Sequence, residues 1–132
     1  MEGDEEGLTL ELVFKAAGVM GVGGGVLGIA MPELWADNVG WVMTDELENL
    51  SMWVGFWFVM FGLLMWNLPS LAADNLSTWG KYTAGFFAIA LALNIYEIAS
   101  GVHEWDQTLL NTVPNTIFAA LFYIKSQSDA DW

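Results

Sequence analysis

Residues Leu50 to Trp66 read LSMWVGFWFVMFGLLMW. These seventeen residues carry no charge and one hydroxyl, that of Ser51. Just upstream stands Thr44-Asp45-Glu46-Leu47-Glu48. Thr44 or Asp45 can cap a helix there, and Glu48 occupies the place of a capping-box acid. Downstream, Pro69 is expected to stop the helix after Leu68. At about 1.5 Å per residue, Asp45 to Leu68 reaches roughly 36 Å, against about 30 Å for a bilayer core. The stretch is apolar on every side and has no face for water. It reads as a membrane span.

The rest of the composition agrees. The chain has 132 residues, enough for one domain. It is 55% hydrophobic, yet sixteen residues are acidic. Both hold because the acids gather near the ends and in the connections, leaving long apolar tracts between them. A water-soluble chain this short has too little interior to hide four such tracts. There is no cysteine, which removes disulfides, thiolate ligands and a thiol nucleophile. Three lysines and no arginine stand against a net charge of −13. A phosphate-binding surface needs more, so nucleic acid is not an expected partner, and neither is a polybasic anchor on anionic lipid. The acidic start is unlike a basic presequence, so the first span is expected to be retained.

Four spans are expected, at about 8–31, 45–68, 79–100 and 106–125, forming an all-α, four-helix transmembrane bundle in a single integral membrane domain. In the first, Gly18, Gly21, Gly25 and Gly28 recur every three or four residues. In water so much glycine melts a helix, at about 1 kcal/mol each. In lipid the backbone has no other hydrogen-bond partner, so the helix persists and its smooth stripe admits a close neighbour. Gly85, Ala88 and Ala92 on the third span form a matching stripe, expected to receive those glycines. Gly55 and Gly62 mark another close-contact face on the second span. No strand or base accompanies the glycines of the first span, so a phosphate loop is not indicated. Between spans one and two, Pro32 opens a short helix expected to lie on the membrane surface, where Trp35 and Trp41 suit the headgroup zone. A polar connection is expected from Pro69 to Thr78, and Pro114 is expected to bend the fourth span.

Four spans put both termini on one side. Lys15, Lys81 and Lys125 then share that side, while Glu33, Asp37, Asp45, Glu46, Glu48, Glu104 and Asp106 lie opposite. The positive-inside rule therefore predicts both termini on the cytoplasmic, matrix or stromal side.

One polar constellation stands out. Asn94 and Glu97, three apart on the third span, share a level with Asn111 and Asn115 on the fourth. A short connection carrying His103 joins the two spans, which are thus expected to be antiparallel neighbours. A polar pocket opening to the outer face is expected. Three readings remain open. The asparagines hydrogen-bond between helices as structural glue; Glu97 and His103 ligate a metal or a pigment magnesium; or Glu97 relays protons in a small transporter. One histidine and no Gly-x-Ser-x-Gly or His-Glu-x-x-His motif give enzyme chemistry little to stand on.

The expected function is accordingly non-catalytic: an accessory subunit of a larger membrane complex, respiratory or photosynthetic, surrounded by lipid and other subunits. The alternatives are a membrane protein that binds chlorophyll, carotenoid or quinone on the aromatic face of span two, and a small transporter centred on Glu97.

Overall fold

The computed structural model describes residues 8–102, 104, 106 and 109–129, and every element in it is a helix. In chain order these are α1 (Leu10–Ala30), α2 (Pro32–Val39), α3 (Asp45–Leu71), α4 (Leu76–Ala99) and α5 (Leu109–Asp129). A 3-10 turn, Ala73–Asn75, lies between α3 and α4. Three of the helices are long and apolar enough to cross a membrane: α1, α3, and α4 together with its preceding turn. The fourth expected span falls short. α5 has the length, about 31 Å over its 21 residues, but Asn111, Thr112, Asn115 and Thr116 lower its hydropathy.

Local chemistry sets the ends. Thr9 Oγ1 accepts a hydrogen bond from Leu12 N at 3.2 Å, and Thr44 Oγ1 accepts one from Leu47 N at 3.1 Å. Each hydroxyl satisfies one of the amides that a helix start leaves without a partner. Pro32 opens α2, where its missing N–H costs nothing. Gly40, at φ 77°, closes α2 in a left-handed turn, with Trp41 N bonded back to Ala36 O at 2.8 Å.

Two boundaries differ from the sequence expectation. α3 runs through Pro69 to Leu71. In the final turn a proline removes a single hydrogen bond, and buried Leu68 holds that turn against the core. The expected polar connection from 69 to 78 shrinks in consequence, and α4 begins at Leu76 instead of Trp79. Pro114 likewise lies within α5, which continues past it to Asp129.

The helices associate in two antiparallel pairs. α1 and α3 meet backbone to backbone. A Cβ placed on Gly18 would stand 2.8 Å from the carbonyl oxygen of Gly62, and one on Gly55 would stand 2.6 Å from that of Gly25. No side chain fits at such distances, so the glycines are what permit the approach. The expected partner stripe on the third span is thereby corrected. Gly85 has nothing within 4 Å of an added Cβ, and Ala88 and Ala92 are exposed. The α4 residues that turn inward are Gly80, Thr83, Ala84, Phe87 and Asn94. Gly85 and Ala88 each follow one of these by a single position, about 100° around the helix. Gly55 and Gly62, seven apart on α3, take the place assigned to them.

The second pair is α4 with α5. Phe87 stacks on Phe118 and Phe122 at 5.4 and 5.9 Å, and Phe122 meets Phe14 of α1 edge-on at 4.8 Å. Leu10, Val13 and Ala17 of α1 and Met65 and Leu68 of α3 complete this core. It draws on all four long helices and lies at one end of the molecule, where α1 begins and α5 finishes. Lys15 is at this end, its ammonium 4.3 Å from the centre of the Trp66 ring. Lys81 and Lys125 flank the close contact of Gly80 with Ser126.

Candidate functional site

At the other end the two pairs stand apart around a cavity of about 310 Å³. One wall belongs to α1, α2 and α3. Gly24 and Gly28 lie at its base, Trp35 and Trp41 come from α2 and the turn after it, and Leu47, Val54 and Phe58 line α3. Gly28 keeps this wall close, since a Cβ on it would stand 3.3 Å from the Trp35 indole nitrogen. Ser51 Oγ donates to the Gly28 carbonyl at 2.7 Å and fastens the two helices where the cavity begins.

The opposite wall is polar. Asn94 and Glu97 of α4 and Asn111 of α5 all line the cavity. Three of the four residues expected to form a polar pocket therefore meet at one place. The fourth, Asn115, stands behind them, its Nδ2 donating to Asn94 Oδ1 at 2.8 Å. That bond joins α4 to α5 and turns a buried amide into a paired one, which lipid surroundings demand. Asn94 is buried, Glu97 and Asn115 are half-buried, and Asn111 is exposed at the cavity mouth.

Other hydroxyls are absorbed locally. Thr83 and Thr116 donate to the carbonyls of Trp79 and Thr112, one turn back. Among the described residues, the hydroxyls of Thr112 and Ser126 are buried without a hydrogen-bond partner. His103, the candidate ligand of a metal or a pigment magnesium, lies outside the described residues. Among those described, no three His, Asp or Glu side chains converge as a metal site requires.

Sequence reasoning missed the aromatic wall. The sequence pattern predicts the headgroup zone for Trp35 and Trp41, and both line the cavity. In the structure Ala36, beside Trp35, is buried and turns that side of α2 inward. Which neighbour α2 would meet depends on the α1–α3 crossing, and no local pattern shows that. Chemically the cavity combines apolar and aromatic walls with one carboxylate and two amides, and its described lining holds no Lys, Arg or His.

No family model, no curated protein and no solved structure matches the chain.

Proposed function

We propose that the chain is a non-catalytic accessory subunit of a larger membrane protein complex, respiratory or photosynthetic in kind, built on four spans. The observation that carries this reading is the outward stripe of α4. Gly85 is open to its surroundings and Ala88 and Ala92 are exposed beside it, flanked by exposed Phe86, Ile89 and Leu93. A mid-helix glycine costs about 1 kcal/mol relative to alanine. On α1, Gly18, Gly21 and Gly25 offset that cost by close contact with α3; the α4 stripe, which the chain itself leaves open, offers another chain the same kind of approach. The aromatic outer face of α3, with Trp53, Phe56 and Trp57 exposed, adds further contact area.

Treating α5 as a fourth span rests on the direction of its polar residues. Thr112 is buried and Asn115 half-buried against α4, while Val113, Ile117 and Ile124 face outward. Of the groups that lower its hydropathy, Thr112 is buried, Asn115 bonds to Asn94 of α4, and Thr116 returns its hydroxyl to the helix's own backbone. Four spans and the three lysines at one end support both termini on the cytoplasmic, matrix or stromal side.

Native electrophoresis of mildly solubilised source membranes tests the proposal, with mass spectrometry of the band that holds this chain. Migration in a large assembly is the expected result. Migration alone or as a small homo-oligomer overturns it.

A further inference from the structure

We propose that the cavity between the two helix pairs binds a lipophilic organic cation, an amine or quaternary ammonium carrying apolar groups. The inference is independent of the subunit reading, because it rests on the interior of the chain and not on its outer face.

Three observations converge on that chemistry. The cavity, at about 310 Å³, is at the lower end of the range that holds small organic ligands, about 300–1,000 Å³. One wall offers the rings of Trp35, Trp41 and Phe58. Their faces attract a cation, most strongly where water is thin, and their apolar bodies accept its organic groups. The facing wall offers the Glu97 carboxylate beside the amides of Asn94 and Asn111. An aromatic wall opposed to a carboxylate is a complete recognition set for a positive charge on an apolar frame.

Charge in the surroundings points the same way. The α2 and α3 elements that contribute to the lining also carry Glu33, Asp37, Asp45, Glu46 and Glu48. Between Lys15 and Lys81 the sequence has no Lys or Arg. A cleft with low-dielectric walls focuses such a field and concentrates cations at its entrance. Other ligand classes fit less well. An anion meets no counter-charge. A neutral quinone draws nothing from the field. A phosphatidylcholine supplies the ammonium but brings a phosphate that no base in the described lining receives. The site therefore suits a cation with no attached anion.

The experiment is equilibrium binding of radiolabelled tetraphenylphosphonium to the full chain in nanodiscs of anionic lipid. The expected result is saturable binding that weakens roughly ten-fold in Glu97→Gln and strengthens in Asn111→Asp, which adds a second carboxylate to the lining. Ubiquinone-1 and a short-chain phosphatidylcholine should not displace the probe. The proposal fails if the unaltered chain shows no saturable binding, or if neither substitution changes the affinity. Displacement by ubiquinone-1 overturns it in favour of a neutral ring ligand, and displacement by the phosphatidylcholine in favour of a lipid headgroup. Helicity by circular dichroism identifies a variant that has not folded. Should Glu97→Gln be one, Asn111→Asp decides, since Asn111 is exposed and makes no described contact that folding requires.

Discussion

At the lysine end, Phe14, Phe87, Phe118 and Phe122 fill the space between the helix pairs; at the acidic end the same pairs stand apart around a cavity. Within each pair, contact continues along the whole length. Glycines hold α1 to α3 from Gly18 to Gly28, and α4 is held to α5 from Gly80–Ser126 at one end to Asn94–Asn115 toward the other. Between the pairs, only the aromatic end is closed. The difference separates two tasks. Small residues make the α1–α3 hairpin, an amide pair helps to join α4 to α5, large aromatics join the hairpins, and where the aromatics stop a cavity opens.

The largest expected effect comes from breaking a hairpin. Gly25→Val places side-chain atoms where the Gly55 carbonyl and Val59 already lie. The contact is with backbone, so no rotamer change relieves it, and the cost should be about 3 kcal/mol or more. Denaturant titration in micelles, followed by circular dichroism, measures it. The same titration on Gly23→Val supplies the contrast, because nothing lies within 4 Å of an added Cβ there. Equal losses in the two variants would remove the distinction between a packing glycine and an incidental one.

Phe122→Ala should follow. It removes the ring that meets Phe14, Phe87 and Phe118, and so makes the closed end resemble the open one. In a water-soluble core this change costs about 3–5 kcal/mol. In lipid or detergent the unfolded state is already apolar and only the lost packing remains, so about 2 kcal/mol is expected. Distance measurements between labels on α3 and α5 should show the pairs separating while α1 and α3 remain together. Loss of both contacts at once would mean that the hairpins are not independent units.

Asn94→Ala comes next. It deletes the acceptor of Asn115 Nδ2 and leaves that amide half-buried and unpaired. Interhelical hydrogen bonds of this kind contribute about 0.6–1.7 kcal/mol. Asn115→Ala should cost the same amount, and the double variant little more than either single one. Additive losses would show that the two amides act separately.

The extent to which this arrangement is legible in sequence follows from the range of the interactions. Composition and uninterrupted apolar length announce α3 and α1, because a bilayer is thick and a helix is regular. The Asn94–Glu97–Asn111 grouping is also legible, since a short connection forces two helices antiparallel and helical spacing does the rest. The partner of the α1 glycines is not. Gly55 and Gly62 on α3, and Gly85, Ala88 and Ala92 on α4, are equivalent as patterns; what separates them is rotation of α4 about its axis, which turns Thr83, Ala84 and Phe87 inward and stacks Phe87 on Phe118 and Phe122. The aromatic wall escaped for a similar reason. An interfacial tryptophan and a cavity tryptophan have the same neighbours in sequence, and differ only in what the α1–α3 crossing places in front of them.

The smallest effect on the fold should come from the stripe that α1 does not use. Gly85→Leu adds a side chain where nothing lies within 4 Å, so it brings no clash and replaces glycine by a better helix former. Within the isolated chain, stability should be unchanged or higher by about 1 kcal/mol. In the source membrane the outcome should be the reverse. If another chain packs on Gly85, Ala88 and Ala92, leucine pushes it away, and native electrophoresis should show this chain released from its assembly while remaining folded. Gly25→Val and Gly85→Leu therefore form a pair. The first should destroy the chain's own packing, the second only its association. A Gly85→Leu chain that stays in the assembly would leave the outward stripe facing lipid, and α4 would then carry its glycine at a cost that no contact offsets.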